Sequence, residues 1–313
     1  MSKSKRTTSL VAVIGVLALC VLAYMIMNRA GVGETKVEVT TEDPRLTVAD
    51  YKYTDVSTLF YASGDLEYRF TYNENLGKWI YDAQPKLPID LELPTYMASA
   101  ISSIKADRYV GADRSSFKDY GLEDPMLRIG ISYKDGSSYV YRIGNYNSTT
   151  GTYYFNVEGA DDVYMIASGL IPYFDYTILE LIDAEELPAL STASFTLKSV
   201  TIDGEALPED KLEAYKTGFA AISLGEPAGW ATNASELSAY GLGESERSTL
   251  VIAYSEAQNV SGSENSISST VHVEGTLTLY LGAEAGEGVR YCMTDKTCVV
   301  YTVSDAVSAV PGQ

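Results

Sequence analysis

The chain opens with one long apolar run and then changes to short segments in which apolar residues alternate with polar ones. Ser9 to Met27, SLVAVIGVLALCVLAYMIM, contains no charged residue. As a helix rising 1.5 Å per residue it would span about 28 Å, close to the hydrocarbon thickness of a bilayer. We read residues 9–28 as a transmembrane helix. Lys3, Lys5 and Arg6 precede it and only Arg29 follows closely. That asymmetry keeps a basic tail, residues 1–8, in the cytoplasm and places the bulk outside the cell membrane. Leu17-Ala18-Leu19-Cys20 approaches a lipobox, which leaves cleavage and lipidation of Cys20 as the alternative. Leu19 where a small residue is needed, and the apolar run continuing past Cys20, favour an uncleaved single-pass anchor. Residues 29–50 are polar and acidic and read as a stalk.

From residue 51 the period is that of strands. Val56–Tyr61, Leu66–Tyr72 and Lys78–Tyr81 are separated by turn signals at Ser63-Gly64 and Asn73 to Gly77. Trp79 is placed as a core anchor. From Pro88-Ile-Asp90 the spacing predicts a helix of about 15 residues, with Leu93, Met97, Ala100, Ile101 and Ile104 on one face. Leu127–Tyr133 and Ser138–Ile143 flank Asp135-Gly136, a strong hairpin signal. A second hairpin is expected from Tyr153–Val157 and Val163–Ile166. Leu170–Ile182 reads as a helix joining two halves.

The second half repeats the order. Strand Ser194–Ile202 is followed by an amphipathic helix over Pro208–Ile222 and a strand over Thr249–Tyr254. Residues 255–270, rich in Ser, Asn and Gly, predict a surface loop. Val271–Leu281 and a closing hairpin complete the unit. The repeat is carried by VGADRSSFKDYGLEDP, residues 110–125, and WATNASELSAYGLGES, residues 230–245. Asp113 and Asn233 fall where a helix N-cap accepts backbone N–H groups, and Glu236 three residues on approaches a capping box. Gly121 and Gly241 fall where a helix stops in a positive-φ residue. Leu122 and Leu242 should turn into a core, with Tyr120 and Tyr240 as half-buried structural tyrosines. The expected fold is therefore α+β. Two tandem related units, residues 51–186 and 187–313, should each hold mostly antiparallel sheet with one long and one short helix.

Charge narrows the function. The chain carries −19 over 313 residues, and −22 once the three basic residues of 1–28 are set aside. So acidic a surface repels phosphate backbones and excludes nucleic-acid binding. Tyrosine is frequent, 25 against 7 Phe, as in half-exposed sheet. Chemistry is sparse. His272 is the single histidine and lies between Val271 and Val273 in an expected strand. With one His and three Cys there is no zinc spacing, and no metal or cofactor is expected. The glycines of LGAEAGEGVR sit among acids, unlike a phosphate loop. Cys292 and Cys298 flank the closing turn and are expected to form a disulfide, the alternative being free or redox thiols.

The Trp of GKWIYD, the helix after Pro-x-Asp, Tyr120-Gly-Leu-Glu-Asp-Pro125, the Tyr-Arg-Ile-Gly144 strand and the Tyr153-Tyr154…Asp162-Val-Tyr164 hairpin appear in one order. In that order the chain resembles the prokaryotic family called domain of unknown function 4340, over about residues 50–305. The resemblance implies a membrane-anchored, extracytoplasmic protein associated with ABC transporters of a gliding-motility type. It carries over no catalytic residues. The expectation is a non-enzymatic accessory or interaction protein serving a transporter or envelope assembly. The alternatives are a ligand- or glycan-binding protein using exposed tyrosines and, further off, an acid-pair hydrolase.

Overall fold

The structure, a computed structural model, describes residues 43–260 and 269–308. The expected transmembrane helix, its basic tail and most of the stalk lie outside the described residues. No helix among the described residues is long and apolar enough to cross a membrane. Pro44–Gln313 clusters as one compact unit.

A 3₁₀ turn, Pro44–Leu46, leads into strand β1 (Thr47–Asp50). Then come β2 (Val56–Ser63), β3 (Leu66–Asn73) and β4 (Lys78–Tyr81), helix α1 (Glu92–Ser102), and β5 (Ser103–Lys105) and β6 (Arg108–Ala112). These are followed by β7 (Leu127–Tyr133), β8 (Ser138–Asn147), β9 (Thr152–Val157) and β10 (Asp162–Ala167). The second half holds β11 (Phe195–Ile202), β12 (Glu205–Ala206), α2 (Leu212–Phe219), β13 (Gly229–Trp230) and α3 (Ala234–Ala239). It ends with β14 (Ser248–Val260), β15 (Ser269–Gly286), β16 (Val289–Thr294) and β17 (Val299–Ser304). The fold is predominantly antiparallel sheet with a few short helices.

Strand order shows how the halves relate. The first large sheet runs β4-β3-β2-β7-β8-β9-β10-β6 and the second β12-β11-β14-β15-β16-β17-β13. Without β4, the first order maps onto the second strand for strand. One continuous apolar cluster joins the two: Leu59, Phe70, Met97 and Ile129 belong to it, and so do Val200, Leu250, Leu279 and Tyr301. The connecting segment is pinned across the halves. The Glu185 N–H donates to Tyr301 Oη at 2.9 Å, and Thr294 Oγ1 donates to Glu185 Oε2 at 2.6 Å.

Several elements differ from expectation, each for a physical reason. α1 starts later than Pro88, because Ile89 bridges Ile182 and the Asp90 N–H donates to Leu181 O at 2.9 Å. Asp90 still caps the helix, its Oδ1 accepting the Leu93 N–H at 2.7 Å. The expected joining helix over 170–182 is instead two 3₁₀ turns, Ser168–Phe174 and Leu179–Leu181. Pro172 lies in the first, and Glu180 Oε2 takes the Thr177 N–H at 2.7 Å, opening a separate turn. The stalk is shorter than predicted, since β1 pairs with β5 and buries Ala49. Of the loop expected over 255–270, the described residues 255–260 and 269–270 belong instead to the β14–β15 ribbon, and the rest lies outside the described residues. β14 and β15 stay in register from Ser248↔Leu281 to Val260↔Ser269, where ladder bonds satisfy the backbone.

Candidate functional site

The repeated Tyr-Gly-Leu stretch is a packing device. In the second half Asn233 Oδ1 accepts the Glu236 N–H at 3.0 Å and caps α3. Glu236 Oε2 reaches back to the Thr232 N–H at 2.7 Å, one residue earlier than a capping box would place it. In the first half Asp113 Oδ1 accepts the Ser115 N–H at 2.9 Å, and the Ser115 and Ser116 hydroxyls also bond it. These bonds hold its carboxyl below the usual range. Only a 3₁₀ turn, Arg114–Ser116, follows there, in place of the expected helix, because the two serine hydroxyls tie the chain back to the cap. Gly121 and Gly241 then take φ of +69° and +65°. Leu122 and Leu242 are fully buried in small clusters separate from the main core, the first with Phe117 and Val163, the second with Ala231, Met293 and Val300. Tyr120 stacks on Tyr154 at 4.2 Å, and Tyr240 meets the edge of Tyr291 at 5.1 Å.

Sequence reading missed the partners of this motif. The Tyr120 carbonyl accepts the Asn145 N–H at 2.8 Å and the Tyr240 carbonyl accepts the Ala283 N–H at 2.9 Å. Both bonds fall where β8 and β15 bulge, after Ile143 and after Leu281. The signal was present in the sequence as Ile143-Gly144 and Leu281-Gly282.

The expected Cys292–Cys298 bridge is not present: both are free thiols. The register explains the difference. Cys292 faces Tyr301, three positions beyond Cys298, and Cys298 instead ends a turn whose carbonyl accepts the Ala231 N–H at 2.9 Å. The Cys298 Sγ lies 3.6 Å from Lys86 O. His272 is exposed on β15 opposite Ala257. Among the described residues no group of three His, Cys, Asp or Glu side chains could hold a metal ion.

The first half also carries an aromatic cleft. It is built from the chain that leaves β1, Tyr51 to Asp55, together with β3, β4, α1 and the β7–β8 turn. The Tyr51 N–H donates to Ser102 O at 2.8 Å and the Lys134 N–H to Asp55 O at 2.9 Å, so this entry segment is tied to the helix end and the turn. Tyr51 packs on Tyr133 at 4.5 Å and on Tyr139 at 5.4 Å, and its hydroxyl bonds that of Tyr139. That bond pushes the Tyr51 hydroxyl up to about 12. Tyr133 Oη lies beside Ser102 and completes no hydrogen bond among the described residues, and burial raises its pKa. On the other side Trp79 Nε1 donates to Thr95 Oγ1 at 3.0 Å, and Thr95 donates to Leu91 O at 2.6 Å. Tyr72 meets Trp79 edge-on at 5.2 Å.

Two cavities open here. One, about 220 Å³, is walled by Tyr53, Tyr72, Trp79, Thr95 and Lys134. The other, about 180 Å³, is walled by Tyr51, Lys52, Asp55, Tyr133, Lys134 and Asp135. Lys134 stands between them, its Nζ 2.7 Å from Glu74, which keeps it charged. Trp79 was legible as a core residue. The Tyr51-Lys-Tyr53 entry was not, because its role comes from what folds against it.

The fold defines a two-sheet, predominantly β unit with an aromatic cleft beside the first sheet. Residues 79–218 match the family described as Domain of unknown function (DUF4340), which bears out over that stretch the resemblance read from the sequence. No curated protein and no solved structure is matched by the chain.

Proposed function

We propose that the chain is a single-pass, membrane-anchored extracytoplasmic protein, its N-terminus cytoplasmic, that acts as an accessory or interaction module for an ABC transporter or cell-envelope assembly and performs no catalysis. We read its ectodomain as a duplicated α+β unit, supported by the shared strand order and the paired Tyr-Gly-Leu docking. The observation that carries the functional reading is the asymmetry between the halves. The elements they share are accounted for by packing, whereas β4 has no counterpart in the second sheet and, with the Tyr51–Asp55 entry, lines an open aromatic cleft. A site added to a symmetric scaffold is where specific contact is expected.

Crosslinking in native membranes followed by affinity purification of the full chain tests this. Recovery of a transporter or envelope subunit, reduced by Tyr53→Ala, is the expected result. Recovery of none, or labelling of the C-terminus from the cytoplasmic side, would overturn it.

A further inference from the structure

We infer that the two neighbouring cavities, which share Lys134 in their walls, bind two consecutive six-membered rings of a neutral saccharide. Together they reach the few-hundred-Å³ range of small-molecule sites. Accessible aromatic rings line both, Tyr53 and Tyr72 in one and Tyr51 in the other, over the buried Trp79 and Tyr133. An aromatic face takes the apolar C–H face of a sugar ring, and the ring's hydroxyls then need donors and acceptors at the rim. The rim has both. Lys52 and Lys134 supply donors, and Asp55 and Asp135 supply acceptors.

The balance of charge decides between ligands. In a chain of net −19 this rim carries two cations, Lys52 and Lys134, and three anions, Asp55, Asp135 and the Glu74 paired with Lys134. An ionic ligand of either sign would face at least two like charges, at a cost that grows as water leaves the cleft. A polyol can bond to both signs at once. The tyrosines also remain accessible: Tyr51 is 38% and Tyr53 48% exposed.

This inference rests on the cleft being the contact site proposed above, but it fails separately, since partner capture does not depend on sugar. The test is saturation-transfer NMR on the full chain in nanodiscs. The probes are maltotriose, cellotriose and chitotriose, with trigalacturonate and a decaproline peptide in parallel. The expected result is transfer to at least one neutral trisaccharide and a weaker signal for the acidic one. Tyr53→Ala and Lys134→Ala should weaken affinity about tenfold or more, while Tyr146→Ala, on the far end of β8, should leave it unchanged. Tyr51→Phe keeps the stacking ring and guards against misfolding as an explanation. Transfer to no neutral trisaccharide, transfer to the peptide or trigalacturonate alone, or equal loss in Tyr146→Ala would overturn the assignment.

Discussion

Gly144 lies so close under the Tyr120 carbonyl that a Cβ built on it would stand 2.1 Å from that oxygen. Gly282 repeats the relationship with Tyr240 at 2.3 Å. The contact is backbone against backbone, so no rotamer change can relieve it. Gly144→Ala and Gly282→Ala should each destabilise by about 3 kcal/mol or more, at the top of the overpacking range. In a folded unit of this size that lowers Tm by roughly 5–10 °C, read by calorimetry. A loss under about 1 kcal/mol in both variants would show that the docking is not tight.

Gly218 gives the opposite sign. It lies inside α2, and an added Cβ meets nothing within 4 Å. Gly218→Ala should raise stability by about 0.5–1 kcal/mol by restricting the unfolded chain. Urea denaturation of the variant beside the wild type measures it.

The two caps should differ in their response to acid. Asn233→Ala should cost about 1 kcal/mol at any pH, since the amide does not titrate. Asp113 has a depressed folded pKa, so its contribution is present above the unfolded carboxylate value and is lost as pH falls through the folded value. Asp113→Asn should therefore flatten the acid limb of the stability profile. An unchanged profile between pH 5 and about pH 2 would remove the cap from the account.

Alkali should unfold the protein early. Tyr61, Tyr141 and Tyr215 are buried, and burial raises each hydroxyl well above the ordinary value of 10.0. Tyr61 and Tyr215 also donate to carbonyls, Tyr176 O at 2.8 Å and Val307 O at 2.6 Å. Protons are held more tightly in the folded state, so stability is complete below pH 10 and falls as pH rises beyond it. Absorbance at about 295 nm should show these tyrosines ionising together with loss of the fold, rather than gradually beforehand.

The thiols should react in sequence. Burial, with the Glu185 charge adding to it, pushes Cys292 up to about 12, so it stays protonated and shielded at neutral pH. Cys298 is partly exposed, though burial raises it too. Alkylation of the native protein should label Cys298 first and Cys292 only on unfolding, read by peptide mass spectrometry. Simultaneous labelling, or a bonded pair recovered from the native compartment, would contradict the register described here.

Local chemistry was enough to locate the longer strands β2–β4, β7–β11 and β14–β17 in part, the Asp135-Gly136 turn and the caps at Asp113 and Asn233, because each is written in residues a few positions apart, whereas the short strands β1, β5, β6, β12 and β13 were not legible. The same local patterns placed Trp79 inside. They did not show that Ile89 pairs with Ile182, which shortens α1, or that Cys292 faces Tyr301. Those follow from which strand ends meet, and pairing across many residues is set by the whole core. The docking of Tyr120 on Gly144 and the cleft between Tyr51, Trp79 and Lys134 are of the same kind. Their parts lie up to 83 residues apart in the chain, and only strand pairing in the first sheet, with the helix and turns packed against it, brings them together.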